Sequence, residues 1–215
     1  MNTSHAGAHY ETIYKGKQMN NENQLLHLFP TSVMLIDMTG HPCKEKALEI
    51  IDETATNDYH LLSNGKSNFS GAGGFLFHPE LKELCNDIQQ HIHKYSTLLG
   101  TFPIHLANNW FNIMSPNGVV HPHRHEGSVV SGAYYIRAPE GSSRLHFSSP
   151  LMPLRVNEVT QNDNPLNLLE ESMPIKEDLM ILFPSWLEHF TNENNNAERT
   201  VISFNTDYSR RSVRI

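Results

Sequence analysis

The pattern of apolar and polar residues in this 215-residue chain changes at Ile104, and the new pattern continues almost to the last residue. From there on, short runs of alternating apolar and polar residues are separated by turn residues, as in IHLANNWFNIM, SPNG, SVVSGAYYIRA, PEGSS and RLHFSSP. The same pattern continues in EDLMILFPSW and RTVISFNTDY. Alternation with a period of two, broken by regular turn signals, is typical of a β-sandwich or a β-barrel. The region after Ile104 is therefore predicted to be a β-core.

The region before Ile104 carries the helical signals. LLHLFPTSVMLIDM is predicted to be a first strand, and HPCKEKALEIIDETA an amphipathic helix after it. PELKELCNDIQQHIHKYSTLLG is the stronger helix prediction, because Pro79 suits a first helical turn and Gly100 a C-terminal stop. Residues 57–77, rich in Asn, Ser and Gly, are predicted to be a long loop that serves as a lid or binding loop. The fold class is mainly β with N-terminal helices, an α+β arrangement.

Length and composition limit the domain organisation and the partners. The chain is long enough for one domain with a sizeable core and too short for two comfortable ones. Residues 1–23 are polar and aperiodic and are predicted to be a flexible leader, which leaves 24–215 as the single domain. A net charge of −7 argues against non-specific nucleic-acid binding, which requires a basic face.

The cysteines and the apolar runs bear on location. Cys43 and Cys85 form neither a CxxC motif nor a disulfide framework, which favours a reducing compartment. No apolar run approaches the roughly 18–20 residues that a membrane helix needs. A cytoplasmic location is therefore predicted.

Histidine is the residue type that most clearly indicates chemistry in this chain. His121, His123 and His125 alternate, so on an extended strand all three would point to one side. His189 lies 64 residues after His125. Imidazole is a common ligand of transition metals, and non-haem iron sites combine two ligands from one strand with a third from a distant strand. The spacing His123-x-His125…His189 meets that requirement.

Arg199 lies ten residues after His189 and indicates a co-substrate with two carboxylates. A buried dicarboxylate needs a permanently charged, bidentate partner, which is a role that arginine fills. On an extended strand Arg199 shares a face with Val201, Ser203 and Asn205, while Ser131, Ala133 and Tyr135 share a face of an earlier strand. Tyr135 and Ser203 are predicted to supply hydroxyl groups beside Arg199.

A simpler interpretation of the same residues stays open. The three alternating histidines would then be a polar strand edge, and His189 a core or capping residue. Arg199 would form a surface ion pair with Glu198 or Glu193.

Several motifs together resemble the 2-oxoglutarate/Fe(II)-dependent oxygenase family, whose members carry HxHP…SGVYY and a FPSWLxH…N…R-I-S-FN tail. The matching segments are HRHEGSVVSGAYYI, LHFSSP, LMILFPSWLEHF and ERTVISFN, and LFPTSVMLID and NNWFNI look like the opening strand and the Trp-x-Asn strand of that family. The match covers roughly residues 28–208. The resemblance implies a double-stranded β-helix, a cupin-like jelly-roll barrel packed by N-terminal helices.

The resemblance also implies the site residues and the cofactors. His123, His125 and His189 would be the metal ligands, because the gap from His125 to the SGAYY motif agrees with the family spacing. In prolyl-hydroxylase-like relatives, the positions of Tyr135 and Arg199 hold the distal carboxylate of 2-oxoglutarate. The cofactors would be Fe(II) and 2-oxoglutarate, with ascorbate as a reductant, and the products succinate, CO₂ and a hydroxylated substrate.

The chain departs from the family pattern at two places. The proline after the second histidine is Glu126, which raises an alternative in which Glu126 acts as a ligand with His123 or His121. The family's Asp-Pro-Arg is replaced by Ser149, Pro150 and Leu151.

Two other functions therefore stay open from the sequence. One is a cupin-type dioxygenase with three histidines that uses no 2-oxoglutarate, and the other is a non-catalytic metal-binding jelly roll. The expected partner is a small-molecule or peptide substrate, chosen by the loop 57–77 and the insert 151–177, and homodimer formation is compatible with the sequence.

Overall fold

A computed structural model describes residues 29–70, 74–155, 157–194 and 197–208 of the chain. The chain separates into two units, Met1–Thr31 and Ser32–Ile215, and the second unit holds the elements that follow. The leader predicted for residues 1–23 lies outside the described residues.

The described elements follow the predicted order, with the helices before most of the β-core. The helices are α1 (Lys44–Glu53), α2 (Lys82–Leu99) and three short 3₁₀ turns at Phe75–Phe77, Pro79–Leu81 and Met152–Leu154. The strands are β1 (Met34–Asp37), β2 (Leu62–Ser67), β3 (Ile104–Val120), β4 (Val130–Arg137), β5 (Leu145–Ser148), β6 (Glu170–Met173), β7 (Leu179–Pro184), β8 (His189–Thr191) and β9 (Arg199–Tyr208). None of these helices is long and apolar enough to cross a membrane.

Two antiparallel sheets form the β-core. The larger sheet has the strand order β1-β7-β4-β9-β3-β2, and the smaller sheet has the order β6-β5-β8. Leu145 and Phe147 of the smaller sheet pack in one apolar cluster with Tyr135, Ile181 and other residues of the larger sheet, so the two sheets face each other. The prediction of a mainly β, jelly-roll fold is confirmed.

Strand β4 shows how the larger sheet separates two cores. Because side chains alternate along a strand, Tyr134 and Ile136 point to one face and Ala133 and Tyr135 to the other. Tyr134 and Ile136 pack in the cluster that contains the buried residues of α1 and α2. Ala133 and Tyr135 belong to the cluster between the two sheets. Both faces of β4 are therefore buried, and the inner face lies between the two sheets, where a site can form.

Helix α2 ends where the sequence predicts, but it begins at Lys82, because Pro79–Leu81 form a separate 3₁₀ turn before it. Its buried residues Leu84, Ile88, Ile92 and Tyr95 follow the 3–4 spacing of an amphipathic helix and join the outer core. Gly100 ends the helix with a φ of 68°, a left-handed conformation that glycine adopts without strain.

The prediction of a loop over 57–77 is wrong for part of its length. Residues Leu62–Ser67 form strand β2, which pairs with β3 at the edge of the larger sheet. The sequence of β2, LSNGKS, is polar because this edge strand is mostly half-buried or exposed. The backbone hydrogen bonds to β3 define this strand, although its side chains do not follow a strand pattern.

The prediction of a turn at SPNG is also wrong, because β3 continues through these residues. Asn117 takes a positive φ of 62°, and the pairing with β2 shifts its register between Ser63 and Gly65. The turn-forming residues thus form an irregularity within one long strand, as in a β-bulge.

Candidate metal centre

A pocket lies between the two sheets and encloses about 600 Å³ of empty space, its open mouth included. Strands β3, β4, β8 and β9 supply most of its wall, and Tyr59, Leu61 and Leu62, the first residue of β2, also line it. The inner-face residues predicted for β4 and β9 line this pocket as expected: Ala133, Tyr135, Arg199, Val201 and Ser203.

Three histidines meet in this pocket. One ring nitrogen from each of His123, His125 and His189 lies within 4.8 Å of the others, close enough to share one metal ion. His189 is almost fully buried at 6% exposure, and the other two are half-buried. The structure therefore brings together the three residues that the sequence predicts as ligands.

Backbone pairing holds His123 beside His189. The N–H of each residue donates to the carbonyl of the other, both at 3.1 Å, in an isolated antiparallel bridge. The backbone N–H of His125 donates to the carbonyl of Ser185 at 3.0 Å. His123 and His189, which are 66 positions apart in the sequence, are thus held together by backbone hydrogen bonds.

The Nδ1 atoms of His123 and His189 contact carbonyl oxygens two residues upstream. His123 Nδ1 lies 2.8 Å from the oxygen of His121, and His189 Nδ1 lies 3.0 Å from the oxygen of Leu187. A carbonyl oxygen only accepts, so each Nδ1 carries a hydrogen. The lone pair of the neutral ring is then on Nε2, which is the nitrogen left for a metal.

Burial favours the neutral form of all three rings. It lowers the pKa of His123, lowers that of His125 to about 4, and lowers that of His189 well below its usual value. The neighbouring imidazoles act in the same direction on His125 and His189. Only a neutral ring can bind a metal, so burial favours the charge state that metal binding requires.

The other two ligand candidates lie elsewhere. The expectation that all three alternating histidines face one side is wrong, because the chain leaves β3 at Val120 and the following residues form no continuous strand. His121 is exposed, and its Nε2 lies 2.8 Å from Ser63 Oγ. Glu126 is exposed too, and no carboxylate of the described residues belongs to the histidine cluster.

Arg199 lies in the same pocket and is only 1% exposed. Its Nη1 donates to the carbonyl oxygen and to Oγ of Ser143, at 2.8 and 2.7 Å, and its Cζ lies 5.8 Å from the centre of the Tyr135 ring. Its Nε has no hydrogen-bond partner. No carboxylate of the described residues forms an ion pair with it, and the carboxylate of Glu198 binds Arg137 instead. The surface ion pair considered for Arg199 is therefore wrong within the described part of the chain.

A buried guanidinium without a counter-charge is energetically unfavourable. Burial lowers the pKa of Arg199 from its usual value but leaves the group charged at neutral pH. An anionic group bound against Nε would satisfy both the charge and the unpaired donor. The residues present therefore fit a carboxylate ligand at Arg199 and a divalent metal at the three histidines.

Two predicted hydroxyl donors and two further polar groups complete the pocket. Burial raises the pKa of Tyr135 to about 12, which keeps its hydroxyl protonated. Ser203 Oγ lies 3.3 Å from Asn112 Nδ2. Trp110 and Asn112 also line the pocket; neither was predicted as a site residue, although the Trp-x-Asn motif within NNWFNI contains both. Trp110 Nε1 and Asn112 Oδ1 are buried without a partner.

Comparison with known proteins places this geometry in context. The family described as "Putative 2OG-Fe(II) oxygenase" matches residues 108–205, which contain the three histidines, Tyr135, Arg199 and Ser203. A search of curated protein sequences finds no match.

Several solved structures share the fold at low sequence identity. The first is HygX from Streptomyces hygroscopicus with nickel and 2-oxoglutarate bound, which has a TM-score of 0.61 and 12% identity over 84% of each chain. The second is a prolyl hydroxylase of Trichoplax adhaerens in complex with a peptide fragment of hypoxia inducible factor, with a TM-score of 0.57 and 14% identity over 81% of this chain and 83% of that one. The third is the epimerase SnoN with Fe³⁺ and α-ketoglutarate, with a TM-score of 0.60 and 10% identity over 82% of this chain and 79% of that one.

The fold defines a double-stranded β-helix protein. Its segment 108–205 matches the model of the 2OG-Fe(II) oxygenase family, as the motifs predicted.

Proposed function

We propose that this protein is a 2-oxoglutarate- and Fe(II)-dependent oxygenase that hydroxylates a C–H bond of a small-molecule or peptide substrate. His123, His125 and His189 hold Fe(II), and Arg199 with Tyr135 and Ser203 holds the distal carboxylate of 2-oxoglutarate. The observation that carries the proposal is Arg199, a buried cation in the pocket of the three histidines with an unpaired Nε and no described counter-ion. Iron and 2-oxoglutarate held by these residues would supply the activation of O₂, with release of succinate and CO₂.

The protein's own residues bind, orient and shield in this proposal. Ser143 fixes the guanidinium by two hydrogen bonds to Nη1, which leaves Nε and Nη2 for the co-substrate. Tyr135, whose hydroxyl stays protonated at physiological pH, can donate a hydrogen bond to the distal carboxylate. Phe183, Leu145 and Val201 line the same pocket with apolar surface and limit the access of water.

The part of the pocket wall that adjoins β2 supports an uncharged reactive group on the substrate. Tyr59, Leu61, Leu62 and Val120 are the lining residues that adjoin β2 and the end of β3, and none of them is charged. A peptide and a small molecule both fit this description. Trichoplax prolyl hydroxylase is solved with a peptide, and HygX is also solved with hygromycin B.

Purified protein tests the proposal in two steps. Anaerobic addition of Fe(II) and 2-oxoglutarate should produce a visible charge-transfer band, and addition of O₂ and ascorbate should then yield succinate. Arg199→Ala should lose the band while it still binds the metal. If Arg199→Ala keeps the wild-type affinity for 2-oxoglutarate, the assignment of Arg199 is wrong.

The same experiment tests the alternatives. The all-histidine set lacks the usual carboxylate ligand, and this favours a three-histidine dioxygenase without 2-oxoglutarate as the second candidate. Metal binding without 2-oxoglutarate binding would support that candidate or a non-catalytic jelly roll. Succinate formation with inversion of a stereocentre, rather than hydroxylation, would indicate an epimerase such as SnoN.

The proposal extends to the cellular setting. A reducing, cytoplasmic compartment is supported by the free thiols of Cys43 and Cys85. Homodimer formation stays a prediction.

A further inference from the structure

His125 differs from the other two histidines in what its Nδ1 faces. It lies 3.3 Å from Nδ2 of Asn205, an amide nitrogen, whereas the other two rings face carbonyl oxygens. An amide nitrogen only donates, so in this arrangement Nδ1 accepts. The neutral ring then carries its proton on Nε2 and has no lone pair there for a metal.

Asn205 belongs to a buried chain of hydrogen bonds. Its Oδ1 accepts from Ser131 Oγ at 2.7 Å, and Ser131 Oγ lies 2.8 Å from Ser185 Oγ, where either hydroxyl can donate. The exposed fractions of Asn205, Ser131 and Ser185 are 5%, 1% and 0%. The chain connects β9, β4 and the turn after β7, and all its members are uncharged. Because none of these groups is charged, the series can differ between two states only in the direction of its hydrogen bonds.

We infer that Asn205 is a positioning residue for His125 and that its side-chain amide rotates by half a turn when the metal binds. The inference rests on the proposed metal site. A half-turn of the amide places Oδ1 against His125 Nδ1, which then carries the proton and leaves Nε2 for the metal. Asn205 Nδ2 then donates to Ser131 Oγ, and Ser131 donates to Ser185. Every hydrogen bond is kept with its direction reversed, because hydroxyl groups both donate and accept.

The identity of the second ligand explains why such a device is needed. A carboxylate at the position of His125, as in the common two-histidine, one-carboxylate site, has no tautomers to select. A histidine there must be held with its proton on Nδ1, and metal-binding histidines usually donate that proton to a neighbouring acceptor. Backbone carbonyls supply the acceptor for His123 and His189. For His125, the amide oxygen of Asn205 can supply this acceptor, because the Asn205 amide already contacts His125 Nδ1.

Nitrogen-15 NMR of histidine-labelled protein tests the inference directly, with Zn(II) as a diamagnetic probe. Without metal, we expect His125 to carry its proton on Nε2, and His123 and His189 to carry theirs on Nδ1. On addition of Zn(II), His125 should change to the Nδ1–H form. Its signals are assigned by their loss in His125→Gln. A proton on Nδ1 of His125 before zinc is added would overturn the inference, whereas failure of the wild-type protein to bind zinc would overturn the metal site itself.

Substitutions at Asn205 give a second, independent readout. Asn205→Leu removes the acceptor and should weaken zinc binding by about 10–100-fold. Asn205→Asp supplies an ionised group that only accepts, so it should bind zinc at least as tightly as the wild type. Thr206, which follows Asn205 on β9, has a buried hydroxyl that donates to the carbonyl of Val130 on β4. Thr206→Val removes this hydroxyl and is the matched control, so it should leave zinc affinity unchanged. An Asp variant that binds no better than the Leu variant would leave Asn205 with only a packing role.

Discussion

At the scale of single residues, the co-substrate site depends on how Arg199 is held. Ser143 Oγ lies 2.7 Å from Nη1, and Ser143→Ala removes that bond while it keeps the bond from Nη1 to the carbonyl. Because a hydrogen bond to a charged group contributes about 1.5–3 kcal/mol, we expect affinity for 2-oxoglutarate to fall by roughly 10–100-fold. Isothermal titration of metal-loaded protein with 2-oxoglutarate measures this change.

The neighbouring serine provides the control for that prediction. Ser142 is as buried as Ser143, but its Oγ donates to the carbonyl of Pro139 and does not contact Arg199. Ser142→Ala should therefore bind 2-oxoglutarate like the wild type. Equal losses in the two variants would mean that Ser143 acts through the local fold and not through the guanidinium.

The sequence predicts the reactive residues of the site better than the residues that hold them. Residue type and spacing together indicated the chemistry of four residues, so these could be predicted: His123, His125, His189 and Arg199. Ser143 and Asn205 have no such pattern. Their partners lie 56 and 80 positions away in the chain, and these contacts exist only once the strands are paired.

At the scale of elements, the covered outer face of β4 makes Gly132 a sensitive position. A Cβ atom there would lie 2.2 Å from Cζ of Phe204 and 2.9 Å from Cδ2 of Leu182, on the two strands that flank β4. We expect Gly132→Ala to lower the free energy of unfolding by about 1–3 kcal/mol, because the neighbours must shift to make room. Chemical denaturation measures this loss. Gly74→Ala, whose Cβ would come no closer than 3.4 Å to another residue, should change stability much less.

A second prediction at this scale concerns the ion pair between α1 and the start of β7. Lys44 Nζ donates to Glu177 Oε1 at 2.6 Å, and this hydrogen bond lowers the pKa of Glu177 below its usual value of 4.5. A lowered pKa in the folded state stabilises the fold above the unfolded pKa, and the contribution is lost as the pH falls through the folded pKa.

Glu177→Gln should therefore reduce stability at neutral pH by less than about 1 kcal/mol, since Glu177 is half exposed. The difference from the wild type should shrink as the pH falls below about 4.5. Unfolding curves between neutral pH and pH 3 measure it. A difference that is constant over this range would show that the carboxylate charge is not the cause.

Element prediction succeeded where local pattern and tertiary structure agree. Helix α2 combines a buried stripe with a stop at Gly100, and both signals lie within its own sequence. Strand β2 has neither signal, because its pairing with β3 is set by an edge position and not by its side chains. The SPNG segment carries strong turn residues, but Met114 and Val119 on either side of it both pair with β2, so the segment forms an irregularity within one strand.

At the scale of the whole molecule, the larger sheet separates stability from chemistry. Its outer face packs against the helices in a continuous apolar core, while its inner face carries the histidines' contacts and Arg199. Asn205 and Phe204 are neighbours on β9, yet they serve the metal site and the outer core respectively. Ligands bound on the inner face should therefore stabilise the entire sheet and not only the pocket.

Thermal unfolding can measure that coupling. Zn(II) at about 100 times its dissociation constant should stabilise the folded state by about 2.7 kcal/mol, which for a domain of this size raises Tm by roughly 5–10 °C. 2-Oxoglutarate alone should have a smaller effect, because Arg199 can bind only one of its carboxylates. Both together should exceed the sum of the separate shifts, since the keto-acid end needs the metal and the distal end needs Arg199. Arg199→Ala should keep the zinc shift and lose the additional one. Strictly additive shifts in the wild type would instead mean that the metal and the dicarboxylate bind at independent sites.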